Sequence, residues 1–141
     1  MIAKLSAWLV VGAMTATAAT GKWTAQLEPK GDAMIKGSAM VEATDSTSAS
    51  ARISVEGGKA GEQLPWHVHT GTCDNAGPPL GGDAAYTPLT IGSDGKAEGE
   101  AKVTATLSDS ATYAVNVHRS TSDHTVISCG TLRVGSIPTP Q

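Results

Sequence analysis

The chain has 141 residues, of which 40% are hydrophobic and 16% charged, a composition that fits one globular domain and calls for no second one. Ten Lys and Arg stand against thirteen Asp and Glu; without Lys4, which belongs to an expected leader, nine remain against thirteen and the net charge is near −4. There is no basic stripe, so nucleic acid is excluded as a partner.

Residues 1–20 read as a secretory signal: Lys4 supplies the positive start, Leu5 to Met14 the apolar stretch, and Ala16, Ala18 and Ala19 the small residues suited to cleavage. That stretch is too short to span a bilayer, so the mature chain is expected to be a single domain over 21–141, exported to a periplasmic or extracellular space, with no transmembrane segment. Alternation in Trp23 to Leu27, a turn at Gly31 and Asp32, and a second segment from Met34 to Ala43 predict a hairpin. A polar link over 45–50 precedes another alternating run, Ala51 to Val55. Gly57, Gly58 and Gly61 then form a glycine-rich turn.

Next comes a strand carrying His67 and His69, followed by a Gly-, Pro- and Asp-rich loop from Cys73 to Thr87 of the kind that often serves function. Thr87 to Ile91, Ala97 to Leu107, Tyr113 to His118 and Val126 to Val134 supply the remaining strands, and Gly92 to Gly95 marks a turn. No stretch after residue 20 keeps helical periodicity. Seven or eight short strands with frequent turns predict an all-β antiparallel sandwich or barrel.

The chain has four histidines, and three fall where a sheet could gather them around one ion. On a strand, residues i and i+2 share a face, so His67 and His69 present two imidazoles together, and His118 on a neighbouring strand adds a third. Neutral imidazole is a common ligand for copper and zinc. His124 lies in a polar loop, where it is a fourth ligand, a proton donor or simply a solvated side chain. Trp66, next to the first ligand, is expected to point into the core. Met34 and Met40 are expected to share a strand face, as thioether ligands for Cu(I) or as filler.

Cys73 and Cys129 are the only two cysteines, and export makes a disulfide between them the expected state, with thiolate metal ligands as the alternative. Such a bridge would stabilise the fold by roughly 4 kcal/mol through chain entropy.

Taken in order, His67-Val-His69, the loop cysteine Cys73, Ala76-Gly77-Pro78, a Gly-x-Asp-Gly turn, Val-x-Val-His118 and Cys129-Gly130 resemble copper/zinc superoxide dismutases over most of the mature chain. This resemblance implies a Greek-key sandwich or flattened barrel. It also implies catalytic copper ligands at His67, His69 and His118, an intrasubunit Cys73–Cys129 disulfide, and superoxide as substrate. Where the family has a histidine bridging copper and zinc, this chain has Pro79, and the further zinc histidines have no counterpart between Leu80 and Asp94. One copper ion and no zinc site of the family type is therefore expected. The arginine that guides superoxide in the family is replaced by Val126, and Arg119 is expected to point to the opposite face. A weaker resemblance, carried by the early His-x-His and the late Asn116-Val-His118, is to bacterial chordin-repeat domains.

Two further functions use the same three imidazoles. An exported copper protein that buffers, stores or delivers copper would meet a copper donor or acceptor protein and needs no redox cycle. A zinc ion with a bound water would serve hydration or hydrolysis.

Overall fold

The computed structural model describes Gly12 and residues 21–135, so the expected signal segment lies outside the described residues apart from Gly12. Eight strands form one antiparallel sheet curled into a half-barrel. In chain order the elements are β1 (Lys22–Pro29), β2 (Lys36–Ala43), β3 (Ser48–Glu56), β4 (Gln63–Leu64), β5 (Trp66–Gly71), β6 (Ala76–Pro79), a 3-10 turn (Asp83–Ala85), β7 (Leu89–Thr90), β8 (Ala97–Thr104), β9 (Tyr113–His118) and β10 (Val126–Val134). Across the main sheet the order is β6-β5-β9-β10-β1-β2-β3-β8, while β4 and β7 make a separate two-stranded ribbon. No helix among the described residues is long and apolar enough to cross a membrane.

Alternation decides which side chains face inward. Trp23, Ala25 and Leu27 of β1, Ala39 and Val41 of β2, and Ala49, Ala51, Ile53 and Val55 of β3 are all buried, and their neighbours along each strand are mostly exposed. The rule changes at β9, where all six residues are buried. Tyr113, Val115 and Val117 enter the core, while Ala114, Asn116 and His118 face the other way and are covered there as well. A strand covered on both faces is where a site can be built on the face opposite the core.

With no Phe in the sequence, the core depends on small aliphatic residues and a few aromatic ones. Trp66 is fully buried, as its place in the strand predicted; its indole N–H donates to the Thr87 carbonyl, and Tyr86 meets its ring edge-on at 5.1 Å. Gly99 of β8 makes room for it, since a Cβ there would stand 2.7 Å from Leu89 and 3.2 Å from the indole nitrogen.

Several boundaries differ from expectation for clear reasons. Pro88 has no N–H to donate, and the strand within the segment 87–91 is Leu89–Thr90, with Ile91 bonding on to Gly61 and Glu62. Strand β2 begins at Lys36, leaving Met34 before it and largely exposed, so Met34 and Met40 share no strand and no thioether pair forms there. The loop after Cys73 is more ordered than its composition predicts. It contributes β6, whose prolines are tolerated because an edge strand leaves one side unpaired, and Leu80 then donates its N–H to the Val68 carbonyl.

Cys73 and Cys129 form the disulfide, with Cα atoms 5.9 Å apart and a sequence separation of 56. It fastens the start of the β5–β6 loop to β10. Replacing both cysteines by serine should lower the unfolding free energy by about 2–5 kcal/mol in a denaturant titration; an unchanged midpoint would show that the bridge contributes nothing to the fold.

Candidate metal centre

Register places the three histidines. In the antiparallel pair β5–β9, His67 stands opposite Asn116 and His69 opposite Ala114, while Trp66 and Val68 stand opposite Val117 and Val115. Opposite residues share a face, so His67 and His69 lie on the face away from the core, and His118, two residues beyond Asn116, lies on that face too. The backbone N–H of His118 donates to the Pro65 carbonyl, which extends the pairing to this end of β5. One ligand nitrogen from each of the three rings falls within 4.8 Å of the others. Sequence spacing had singled out this set, and the fold brings it together.

Two of the rings have a backbone carbonyl on their far side, and those partners determine which nitrogen is free. His69 Nδ1 is 2.8 Å from the Gly77 carbonyl and His118 Nδ1 is 2.9 Å from the His124 carbonyl. A carbonyl can only accept, so both rings carry their proton on Nδ1, and Nε2 holds a bare lone pair. His69 Nε2 is buried and has no hydrogen-bond partner. Leaving such an atom unpaired costs about 1–3 kcal/mol, and a bound cation would satisfy it.

His67 is oriented the other way. Its Nδ1 lies 3.1 Å from His118 Nε2, and its Nε2 lies 3.4 Å from an Asp83 carboxylate oxygen. Because His118 Nε2 has no proton, this contact requires the proton on His67 Nδ1. Two nitrogens each about 2.0 Å from one metal ion, at angles between about 90° and 109°, lie about 2.8 to 3.3 Å apart. The observed 3.1 Å falls within that span, so the separation of these two nitrogens suits an ion in place of the shared proton.

Burial favours the neutral form of His67 and His118. Desolvation, reinforced by His118 and opposed by Asp83, pushes the His67 pKa down to about 4. Burial also lowers His118, against the hydrogen bond to the His124 carbonyl, which raises it. A neutral imidazole is the ligating form.

The remaining residues have distinct places. The His124 ring is exposed, with Nε2 3.2 Å from the Thr121 carbonyl, and it is not among the three converging ligands; it serves the site through its backbone carbonyl. Arg119 lies just past the end of β9, between Asp32 at 3.5 Å and Asp123 at 3.6 Å. Pro79 stands opposite His69 across the β5–β6 pair. Sequence reasoning missed Tyr86, which is buried, meets the His67 ring edge-on at 5.3 Å and has its hydroxyl pKa pushed up to about 12 by burial. It also missed Asn116, whose buried Oδ1 has no partner and which sits between His67 on one side and Cys129 on the other. No family model matches the chain, and no curated protein matches it.

The lowered His67 pKa has a definite sign in stability. Above pH 6.5 the ring is neutral whether the chain is folded or not; between about 6.5 and 4 the unfolded chain takes up a proton that the folded one refuses. The metal-free protein should lose stability as pH falls through this window. Replacing His67 by Asn should flatten that slope in urea titrations at pH 7, 6 and 5, and an identical slope in the variant would contradict the assignment.

Proposed function

We propose that the chain is an exported copper-binding protein of copper/zinc superoxide dismutase-like build, which holds one copper ion on His67, His69 and His118 and dismutates superoxide. The observation that carries the metal assignment is the meeting of three imidazole nitrogens within 4.8 Å, one of them a buried lone pair without a partner. Copper is favoured because it heads the affinity order of the common divalent ions and because imidazole suits it.

The strand order supports the family reading. The crossing from β3 to β5 and the return from β6 to β8 beside β3 follow a Greek-key pattern, and the architecture of that family is an antiparallel sandwich. The closed disulfide supports export, because exposed thiols oxidise in such compartments and stay reduced in the cytosol. The proposal is for one ion, since Pro79 offers no side-chain ligand where the family has its bridging histidine.

When bound, copper supplies the alternation between Cu(II) and Cu(I) by which one superoxide is oxidised to dioxygen and a second, with two protons, is reduced to hydrogen peroxide. The chain's residues define how the site is approached. His67 has a side chain 15% exposed, whereas His69 and His118 are 8% exposed as residues, so access is from the His67 side. The exposed His124 ring, centred 6.0 Å from that of His118, is placed to exchange protons with solvent near the site.

One observation favours a second function, copper buffering or delivery. Asp83 places a carboxylate beside His67, while Arg119, the cation nearest His118 in sequence, is occupied by Asp32 and Asp123. A mouth of that sign attracts a metal cation and repels an anion such as superoxide.

Alanine at His67, His69 or His118 should each weaken copper binding by more than the about 10–100-fold typical of losing a residue that only supports a ligand. Alanine at His124 should change binding little, because the carbonyl that holds His118 remains. Equal losses at all four positions would make His124 a ligand. The deciding assay is superoxide removal by protein loaded with one equivalent of copper, measured beside His118→Ala: a fast rate lost in the variant establishes the dismutase, and tight binding with no rate above the variant leaves buffering or delivery.

A further inference from the structure

We propose that Asp83 is a positioning residue: it accepts a hydrogen bond from His67 Nε2 and so lets this ring present Nδ1 to an ion. This rests on the assignment of the three histidines as a metal site. A neutral imidazole keeps one N–H, and in the ion-free structure that proton is committed to the 3.1 Å contact between His67 Nδ1 and His118 Nε2. An ion seated between those two nitrogens displaces the proton, and Nε2 is the one position left for it on the ring. Nε2 faces Asp83 at 3.4 Å, longer than the roughly 2.7–2.9 Å of a charge-assisted hydrogen bond. The carboxylate thus stands just out of reach in the ion-free form and would close on the ring when the proton arrives.

The placement of Asp83 is built into the loop. Gly81 and Gly82 both have positive φ, at 74° and 79°, which turns the chain after β6 into the 3-10 turn that begins at Asp83. Three residues on, Tyr86 holds the turn down: its hydroxyl donates to the Leu80 carbonyl at 2.8 Å, and its ring packs against both Trp66 and His67. Asp83 itself is exposed over 80% of its side chain, so packing does not explain its presence. His69 and His118 rest on backbone carbonyls of Gly77 and His124, and among the described residues Asp83 is the one side chain outside the set that makes a polar contact to any of the three rings.

The test uses the full mature chain. In two-bond proton–nitrogen spectra, His67 of the wild type should carry its proton on Nδ1 without metal and on Nε2 when loaded with zinc ion, a diamagnetic stand-in. Titration with cupric ion alone should show Asp83→Ala binding about 10–100-fold more weakly. Asp83→Asn, whose amide oxygen can accept the same bond, should recover most of the loss. The melting temperature of ion-free Asp83→Ala should match the wild type; a fall in it would assign Asp83 to the fold and overturn the proposal. Wild-type affinity in Asp83→Ala, or loaded His67 bound through Nε2, would overturn it too. A wild type that takes up neither ion would remove the metal site itself, and the inference with it, which is distinct from a wild type that binds and a variant that binds equally well.

Discussion

The structure depends most on the antiparallel register of β5 against β9. Trp66 and Val68 meet Val117 and Val115 on the core side, which forces His67, His69 and His118 together on the other. A slip of one residue would turn the histidines into the core and the tryptophan out of it, so the burial of Trp66 and the convergence of the imidazoles are one constraint seen from two faces. The core therefore guards the geometry of the site.

Around that pair, groups from separate segments face the outer nitrogens. The Gly77 carbonyl comes from β6, the His124 carbonyl from the turn between β9 and β10, and Asp83 from the turn after β6. The disulfide ties the loop leading into β6 to β10, and β10 pairs with β9 on the side away from β5. Loop, ligand strands and disulfide thus form one connected frame. Loosening the loop would act on His69 first, by freeing the ring from Gly77.

The strands with clean alternation and the His-x-His spacing were legible because a period of two is local information. The Cys73–Cys129 bridge was legible because two cysteines have one partner each. The order built into residues 74–86 was not legible, since it comes from tertiary contacts: Leu80 bonding Val68, and Tyr86 lodged between Trp66 and His67. Local composition there signalled only turns. The loss of Met34 from its strand and the shortening of the 87–91 segment show how one turn or one proline overrides a favourable run. The tautomers of the three histidines depend on carbonyls six to eight residues away and on the contact between His67 and His118, and no sequence period encodes those.

If His67, His69 and His118 together hold one copper ion, X-ray absorption at the copper edge of protein loaded with one equivalent should show three imidazole nitrogens at about 2.0 Å in the wild type and two in His118→Ala. A signal with fewer imidazoles in the wild type, or one unchanged by the substitution, would place the ion elsewhere.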